Sequence, residues 1–588
     1  MSKPIESYAL IGDGETAALV ARDGSVDWLC WPEFDNDACL CALLGTEDNG
    51  RWSLAPRAHT LGTERRYRGD TLILQTTIRT PDGTIRITDF MPVRRTHPAL
   101  VRIVEGLSGT VDMLCALNPR FDYGALAPWW QVREDGAVAV AGRHRLTLHA
   151  SVPVSVGDGA VGAAFPLQEG ERHTFVLTHT AAWDAAAPRL DVETALTATQ
   201  AHWEGWISRF DAARTRWPAA VKRSLLTLKA LTHARSGGLI AAPTTSLPEV
   251  PAGAMNWDYR YSWLRDSTFT LGAFLNAGFE AEATAWRDWL LRAIAGDPDA
   301  LRIMYRVDGS RHLSEWTVDA LPGYREARPV RVGNAASTQR QLDVYGEVLD
   351  TLALARRAGI VATDHQRDVE RRLVEHLGRI WQGRGSGVWE SRGDTKRYTY
   401  SKVMCWVGFD RALRYCEFSG EARSTLQACR DQAYAEVCRD GWNAGLGTFT
   451  QTYGSQELDA SLLLLPLVGF LQADEPRMAS TIERIDRDLT QGGFIRRKRA
   501  KGDGSDEGAF LPCSLWMADC LRLQGRHEMA EGHLERVLGV ANDVGLLSEE
   551  YDVPGRCLAG NFPQALTHLA VVNTALGLSG PVLDRGGG

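Results

Sequence analysis

Two glutamates in aromatic, glycine-bearing settings stand apart from the 73 acidic residues of this chain. Glu390 follows Trp389 in GVWESRG, residues 387–393, and Glu549 lies in SEEYD, residues 548–552, ahead of GNFPQALTHLAVVNTAL at 560–576. An apolar neighbour disfavours the charged form of a carboxyl and raises its pKa, which a general acid working at neutral pH requires. A third segment, NWDYRYSWLRDS at 256–267, brings Trp257, Tyr259 and Trp263 together with the adjacent pair Arg265 and Asp266. That pair can offer donors and acceptors at once to a polyhydroxylated ligand. Its simpler reading is that Asp266 caps the helix announced by Phe269, Phe274 and Leu275. One glutamate alone is ordinarily surface decoration, so the argument needs all three segments.

Together and in this order the segments resemble glycoside hydrolase family 15, which includes glucoamylases, glucodextranases and bacterial and archaeal trehalases. YRYSWLRDS is similar to the family's substrate-clamping strip, GVWE to its general-acid loop and SEEYD to its S-E-Q-Y-D general-base loop. EGAFLPCSLWMADCLRL at 507–523 and the opening IGDGETAALVARDGSVDWLCWP extend the likeness to nearly the whole chain, on the prokaryotic branch. The resemblance implies Glu390 as general acid and Glu549 as general base. It implies Arg265 and Asp266 on the 4- and 6-hydroxyls of the terminal glucose, with Tyr259, Trp263, Trp257 and Trp389 around the reacting ring. Glu550 stands where glucoamylases often carry Gln. It is therefore both a candidate sugar contact and the fallback for the base.

Such a pair implies inversion. Glu390 protonates the leaving oxygen while ionised Glu549 activates a water, across a carboxyl separation of roughly 6.5–9.5 Å. The expected activity is exo-acting release of β-glucose from an α-glucoside, without metal or organic cofactor. The leading substrate is α,α-trehalose; the alternative is maltose, isomaltose or malto-oligosaccharides. Glu315, Trp316, Asn334, Gln339 and Gln341 are candidates for the leaving-group subsite. A phosphorylase would dispense with the SEEYD base, and a non-catalytic sugar-binding protein would have lost one of the two carboxyls.

The elements that must position these groups follow from patterning. Leu72, Leu74, Thr76 and Ile78 alternate, Pro81-Asp82-Gly83 turns the chain, and Ile85 and Ile87 alternate again, a hairpin signal. Val111 to Leu117 and Phe175 to His179 repeat the alternation, so residues 1–190 are expected to form an antiparallel β-sandwich. Trp203, Trp206 and Phe210 have helical spacing in a linker at 191–220. From 221 to 580 helix follows helix, as in Trp286, Trp289, Leu290, Ala293 and Ile294. The family resemblance makes this an (α/α)6 barrel, with a disordered tail at 581–588.

Composition narrows the partners. With 65 basic and 73 acidic residues the net charge is −8, which offers no general basic face for nucleic acid. Eleven scattered cysteines form no zinc-ligand pattern, and the 19 tryptophans suit sugar stacking or plain core filling. No signal peptide or membrane span is visible, so a cytoplasmic protein, with room for homo-oligomerisation, is expected. Gly12-Asp13-Gly14-Glu15-Thr16-Ala17 matches a dinucleotide fingerprint, but Arg22-Asp23-Gly24-Ser25 interrupts any following helix, so a tight turn is the better reading. The basic run at 496–501 beside a glycine-rich segment reads as a solvated mobile loop and, over a pocket, as a candidate lid.

Overall fold

The computed structural model describes residues 2–157, 159–500 and 506–583. Strands Tyr8–Gly12, Ala17–Ala21 and Ser25–Cys30 open the chain, and every residue in them is buried. Burial on both faces removes the period-two alternation of a half-exposed strand. That is why the strand texture becomes legible only from about residue 50. The glycine-rich match at 12–17 is a hairpin turn: Gly12 pairs with Ala17, and Asp13 Oδ1 accepts from the N–H groups of Glu15 and Thr16 at 2.9 and 2.8 Å.

The spine of the sheet structure is the 20-residue strand Ala99–Asn118. Its first half pairs with Gly83–Phe90 and Arg172–Ala181, its second half with Arg51–Pro56 and Ala160–Gln168, all antiparallel. One long strand thus serves two sheets, and their inner faces supply the sandwich core. The expected hairpin at Leu74–Thr80 and Gly83–Phe90 is present.

Helix α1 (Val192–Ile207) follows, N-capped by Asp191, and Trp206 stacks on Phe279 with centroids 4.2 Å apart. Twelve further helices then alternate between two rings. The outer ring is α2 (Pro218–Leu231), α4 (Glu280–Ala293), α6 (Asp364–Ile380), α8 (Gly420–Asp440), α10 (Pro476–Leu489) and α12 (His527–Leu538). The inner ring is α3 (Ser267–Asn276), α5 (Asp343–Arg357), α7 (Thr399–Tyr415), the short α9 (Leu464–Leu467), α11 (Leu511–Leu523) and α13 (Ala565–Ser579). Each inner helix packs on the next, and α13 closes the circle on α3. Inner helices α5, α7, α11 and α13 are buried on almost every face, as a helix enclosed by neighbours must be. Periodicity alone could not have given this closure.

Contrary to the disordered tail expected from residue 581, Val582 and Leu583 pack against the barrel, and the Leu583 N–H donates to Asn276 Oδ1 at 2.8 Å. Residues 584–588 lie outside the described part. Among the described residues no helix is long and apolar enough to cross a membrane.

Candidate active site

The strip 256–267 is gripped from both domains. The side chains of Asp258 and Arg260 are wholly buried and ion-paired at 2.7 Å. Arg260 also donates to the Asn36 carbonyl and the Tyr123 hydroxyl of the sandwich, at 2.7 and 2.8 Å. Asp258 accepts from the Gly333 N–H at 3.1 Å, which ties down a second loop. Tyr123 itself sits at φ 57°, a left-handed conformation costing ~1–3 kcal/mol that persists only where surrounding contacts over-determine it. With the even-numbered side chains anchored, Tyr259 turns to the opposite side and lines a cavity of about 320 Å³.

Both glutamates line that same cavity. Glu549 ends the turn before the strand Glu550–Asp552; its Oε1 accepts from Tyr259 Oη–H at 2.5 Å and its Oε2 from the Asn561 N–H at 3.3 Å. Gly560, at φ 72°, lies so close that a Cβ there would stand 2.6 Å from Glu549 Oε2. Glu390 Oε1 accepts from Trp263 Nε1–H at 2.6 Å and from Arg265 Nη1 at 3.0 Å. Its backbone is left-handed at φ 55°, and Gln339 Nε2 holds it there by donating to the Glu390 and Ser391 carbonyls at 3.1 and 3.3 Å. Two aromatic rings therefore connect the carboxyls: Tyr259 serves Glu549 and Trp263 serves Glu390.

Burial governs the electrostatics. It raises the Glu390 carboxyl above its ordinary value, while the Arg265 charge and the Trp263 N–H oppose the rise. It raises Glu549 further, to about 8, with the Glu249 carboxylate adding to the rise and Arg497 and Tyr259 opposing it. Neither group is an ordinary surface carboxylate, and a pair of buried acids in one cleft marks a site for proton transfer.

Residues 218–576 match glycosyl hydrolases family 15, and residues 1–157 match the trehalase-like N-terminal domain. The chain is 35% identical to a trehalase of Mycolicibacterium smegmatis, over 97% of this chain and 91% of that one. It is 31% identical to a trehalase of Thermoplasma volcanium, over 99% and 94%. The chain belongs to glycosyl hydrolases family 15. Its fold matches that of a bacterial glucoamylase complexed with acarbose, with a TM-score of 0.74 at 13% identity, covering 98% of this chain and 95% of the other. It is thus a trehalase-like glucoside hydrolase with a sandwich and an (α/α)6 barrel.

Within this family 15 framework, the cavity wall gathers Trp257, Tyr259, Arg265, Trp389, Glu390 and Glu549 from the residues expected in the sequence. Trp257 is held between the guanidinium groups of Arg331 and Arg392, 4.4 and 4.1 Å from its ring centroid, and Trp389 donates to both oxygens of Asp459. Trp263 stands one layer back, reaching the site through its N–H. Asp266 does not reach the cavity. It is 7% exposed and accepts from Arg265 Nε at 3.1 Å, and its side chain makes no helix-capping bond, so the capping alternative fails. Glu550 does not line the cavity and is fully buried against Arg497 at 2.7 Å. Of the leaving-group candidates only Asn334 lines the cavity. Gln339 supports the Glu390 loop, Gln341 bonds Gln339, Glu315 pairs with Arg392, and Trp316 is 49% exposed outside it.

The sequence reading missed Glu249, Arg392, Phe510 and Gln564, all of which line the cavity. It also misjudged the basic run. Arg496 and Arg497 are 7% and 8% exposed rather than solvated, and Arg497 lies against Phe510 and Trp389, 5.1 and 5.6 Å from their ring centroids. The lid reading concerns the loop formed by the basic run 496–501 and the glycine-rich segment 502–508, of which residues 501–505 lie outside the described part. The signal available was the burial of charge beside acidic partners, invisible in a local reading of four consecutive cations.

Proposed function

We propose that this family 15 hydrolase cleaves α,α-trehalose with inversion, using Glu390 as general acid and Glu549 as general base. The observation that carries the reading is that both carboxyls line one small cavity while each takes a hydrogen bond from a different ring of the same strip. Arg265 joins Glu390 at the cavity wall and is buttressed by Asp266, which suits a donor to the hydroxyls of the bound glucose. Such a buried donor discriminates against sugars lacking the matching hydroxyl, because it would be left unpaired.

Trehalose is favoured over longer glucans by two considerations. The cavity volume lies at the small end of ligand pockets, ~300–1,000 Å³. The full-length relatives of 35% and 31% identity are trehalases. The chemistry needs only proton transfer and fixed charges. Glu390 delivers its proton to the bridging oxygen as the bond to the anomeric carbon breaks, and Glu549 removes one from the water attacking the opposite face. The test is a panel assay of glucose release from trehalose, maltose, isomaltose, kojibiose and starch. Trehalose is expected to give the highest kcat/KM; preference for maltose or starch would move the assignment to a glucoamylase.

A further inference from the structure

Beside Glu549 lies a group of acids, two of which, Glu249 and Glu507, also line the cavity. One carboxylate oxygen each from Glu249, Glu507 and Glu550 lies within 4.8 Å of the other two. Arg497 Nη2 sits among them, within hydrogen-bond reach of Glu249 Oε2, of Glu507 Oε2 at 2.9 Å and of Glu550 Oε1 at 2.7 Å. Arg497 Nε takes the second oxygen of Glu507, also at 2.9 Å. The guanidinium occupies the place a metal ion would take, so these acids are already serving a cation.

Counting hydrogens exposes a shortfall. The Nη2 group carries two hydrogens, and three carboxylate oxygens converge on it. One of the three oxygens therefore lacks a hydrogen of its own from that group. Glu550 Oε2, in a fully buried side chain, has no hydrogen-bond partner among the described residues, and Glu249 is 2% exposed. Two carboxylates within 4.8 Å of each other and out of water repel strongly, which favours a single proton on the pair. Glu507 differs from the other two: it alone makes two bonds to the guanidinium, and it is only half-buried.

We propose that Glu249 and Glu550 share one acid proton across Arg497 at neutral pH, and that this half-protonated pair is the positioning element that fixes the charge beside Glu549. Burial raises both carboxyls against the opposing charge of Arg497; Glu507 and Glu390 add to the rise at Glu249, and Glu249, Glu507 and Glu549 add to it at Glu550. The charged and titratable groups facing the pair are Arg497, Glu507, Glu549, Cys513 and, on the Glu249 side, Glu390 and Tyr259. Arg497 is the one cation among them. With both acids ionised, Glu549 would face two negative charges there; with the proton shared, it faces one.

The link to catalysis rests on Glu549 being the base; the proton itself does not, so two measurements separate them. The first is infrared difference spectroscopy of the full-length protein at pH 7, wild type against Glu550→Gln and against Glu249→Gln. Each single variant should lose one carboxylic-acid C=O band, because the introduced amide supplies the missing hydrogen. Loss of carboxylate bands alone would overturn the shared proton. The second is the alkaline limb of kcat/KM against pH, which Glu549, the higher acid of the catalytic pair, sets. Each single variant should leave its midpoint within about 0.3 unit, and the double Glu249→Gln/Glu550→Gln variant should lower it by about one unit, since only the double removes the remaining charge. Stepwise shifts in both singles would mean that both acids are ionised. An unmoved limb in the double variant would refute the connection to Glu549, whatever the infrared result.

Discussion

Tyr259 and Trp263 meet edge to face, with ring centroids 5.2 Å apart at an interplanar angle of 63°, and they give their polar hydrogens to different carboxylates. The spacing of two aromatics four residues apart is thereby converted into the spacing of two acids 159 positions apart in the chain. Each ring stabilises the charged form of its own carboxylate. The two can therefore be tuned separately.

Removing the Tyr259 hydroxyl removes a bond that favours ionised Glu549. The folded-state pKa of that carboxyl, raised by burial to about 8, should rise further. As the higher acid of the pair, Glu549 sets the alkaline limb of kcat/KM, so Tyr259→Phe moves that limb to higher pH by about one unit, the worth of a hydrogen bond to a charged group. A pH–rate profile on trehalose reads this directly.

The complementary change is Trp263→Phe. Loss of the indole N–H raises Glu390, whose carboxyl is already above its ordinary value. Glu390 is the lower of the two acids and therefore sets the acid limb, so that limb should move to higher pH. If the alkaline limb moves instead, Glu390 is not the lower acid of the pair.

Direct removal gives the larger effect. Glu390→Gln and Glu549→Gln should each lower kcat by about 10² or more, the usual worth of positioned acid–base assistance. Steady-state glucose release checks it. A nearly wild-type Glu549→Gln variant would place the base elsewhere.

A backbone test reaches the same carboxyl without touching it. In Gly560→Ala the new Cβ would stand 2.6 Å from Glu549 Oε2 and 2.7 Å from its Cβ, at a φ of 72° that disfavours any side chain. Displacement of the base by a fraction of an ångström to ~1 Å should cost about 10²-fold in kcat. Binding of glucose measured by calorimetry should change far less.

Acid stability follows from His568, wholly buried in α13. Its Nδ1 bonds Ser224 Oγ at 2.9 Å and its Nε2 accepts from the Leu547 N–H at 3.3 Å. Burial, with Arg223 adding to it, lowers its pKa from 6.5 to about 3. The unfolded chain then binds the extra proton first as pH falls, so stability drops between about pH 6.5 and pH 3. His568→Gln should flatten the decline of Tm across that window.

What the sequence made legible was what it keeps contiguous. The strip 256–267, the Glu390 loop and the Glu549 loop are each a short run whose residue types fit one chemistry, and the structure brings all three to one cavity. The opening strands were hidden because burial on both faces erases alternation. Arg497 was hidden for a related reason: Glu249 lies 248 positions away and Glu550 lies 53 away, so nothing beside it reveals that it is buried among acids. Asp266 was half legible. It bonds Arg265, which lines the cavity, and does not line the cavity itself.

The central claim is that Glu390 and Glu549 act from opposite faces of one bound glucose. Proton NMR of the first turnovers of trehalose hydrolysis, recorded before the sugars mutarotate, tests it most directly. Inversion at one anomeric carbon and departure of the other ring unchanged should give β-glucose and α-glucose in equal amounts. Appearance of α-glucose alone would mean retention, and the two-face arrangement would be wrong.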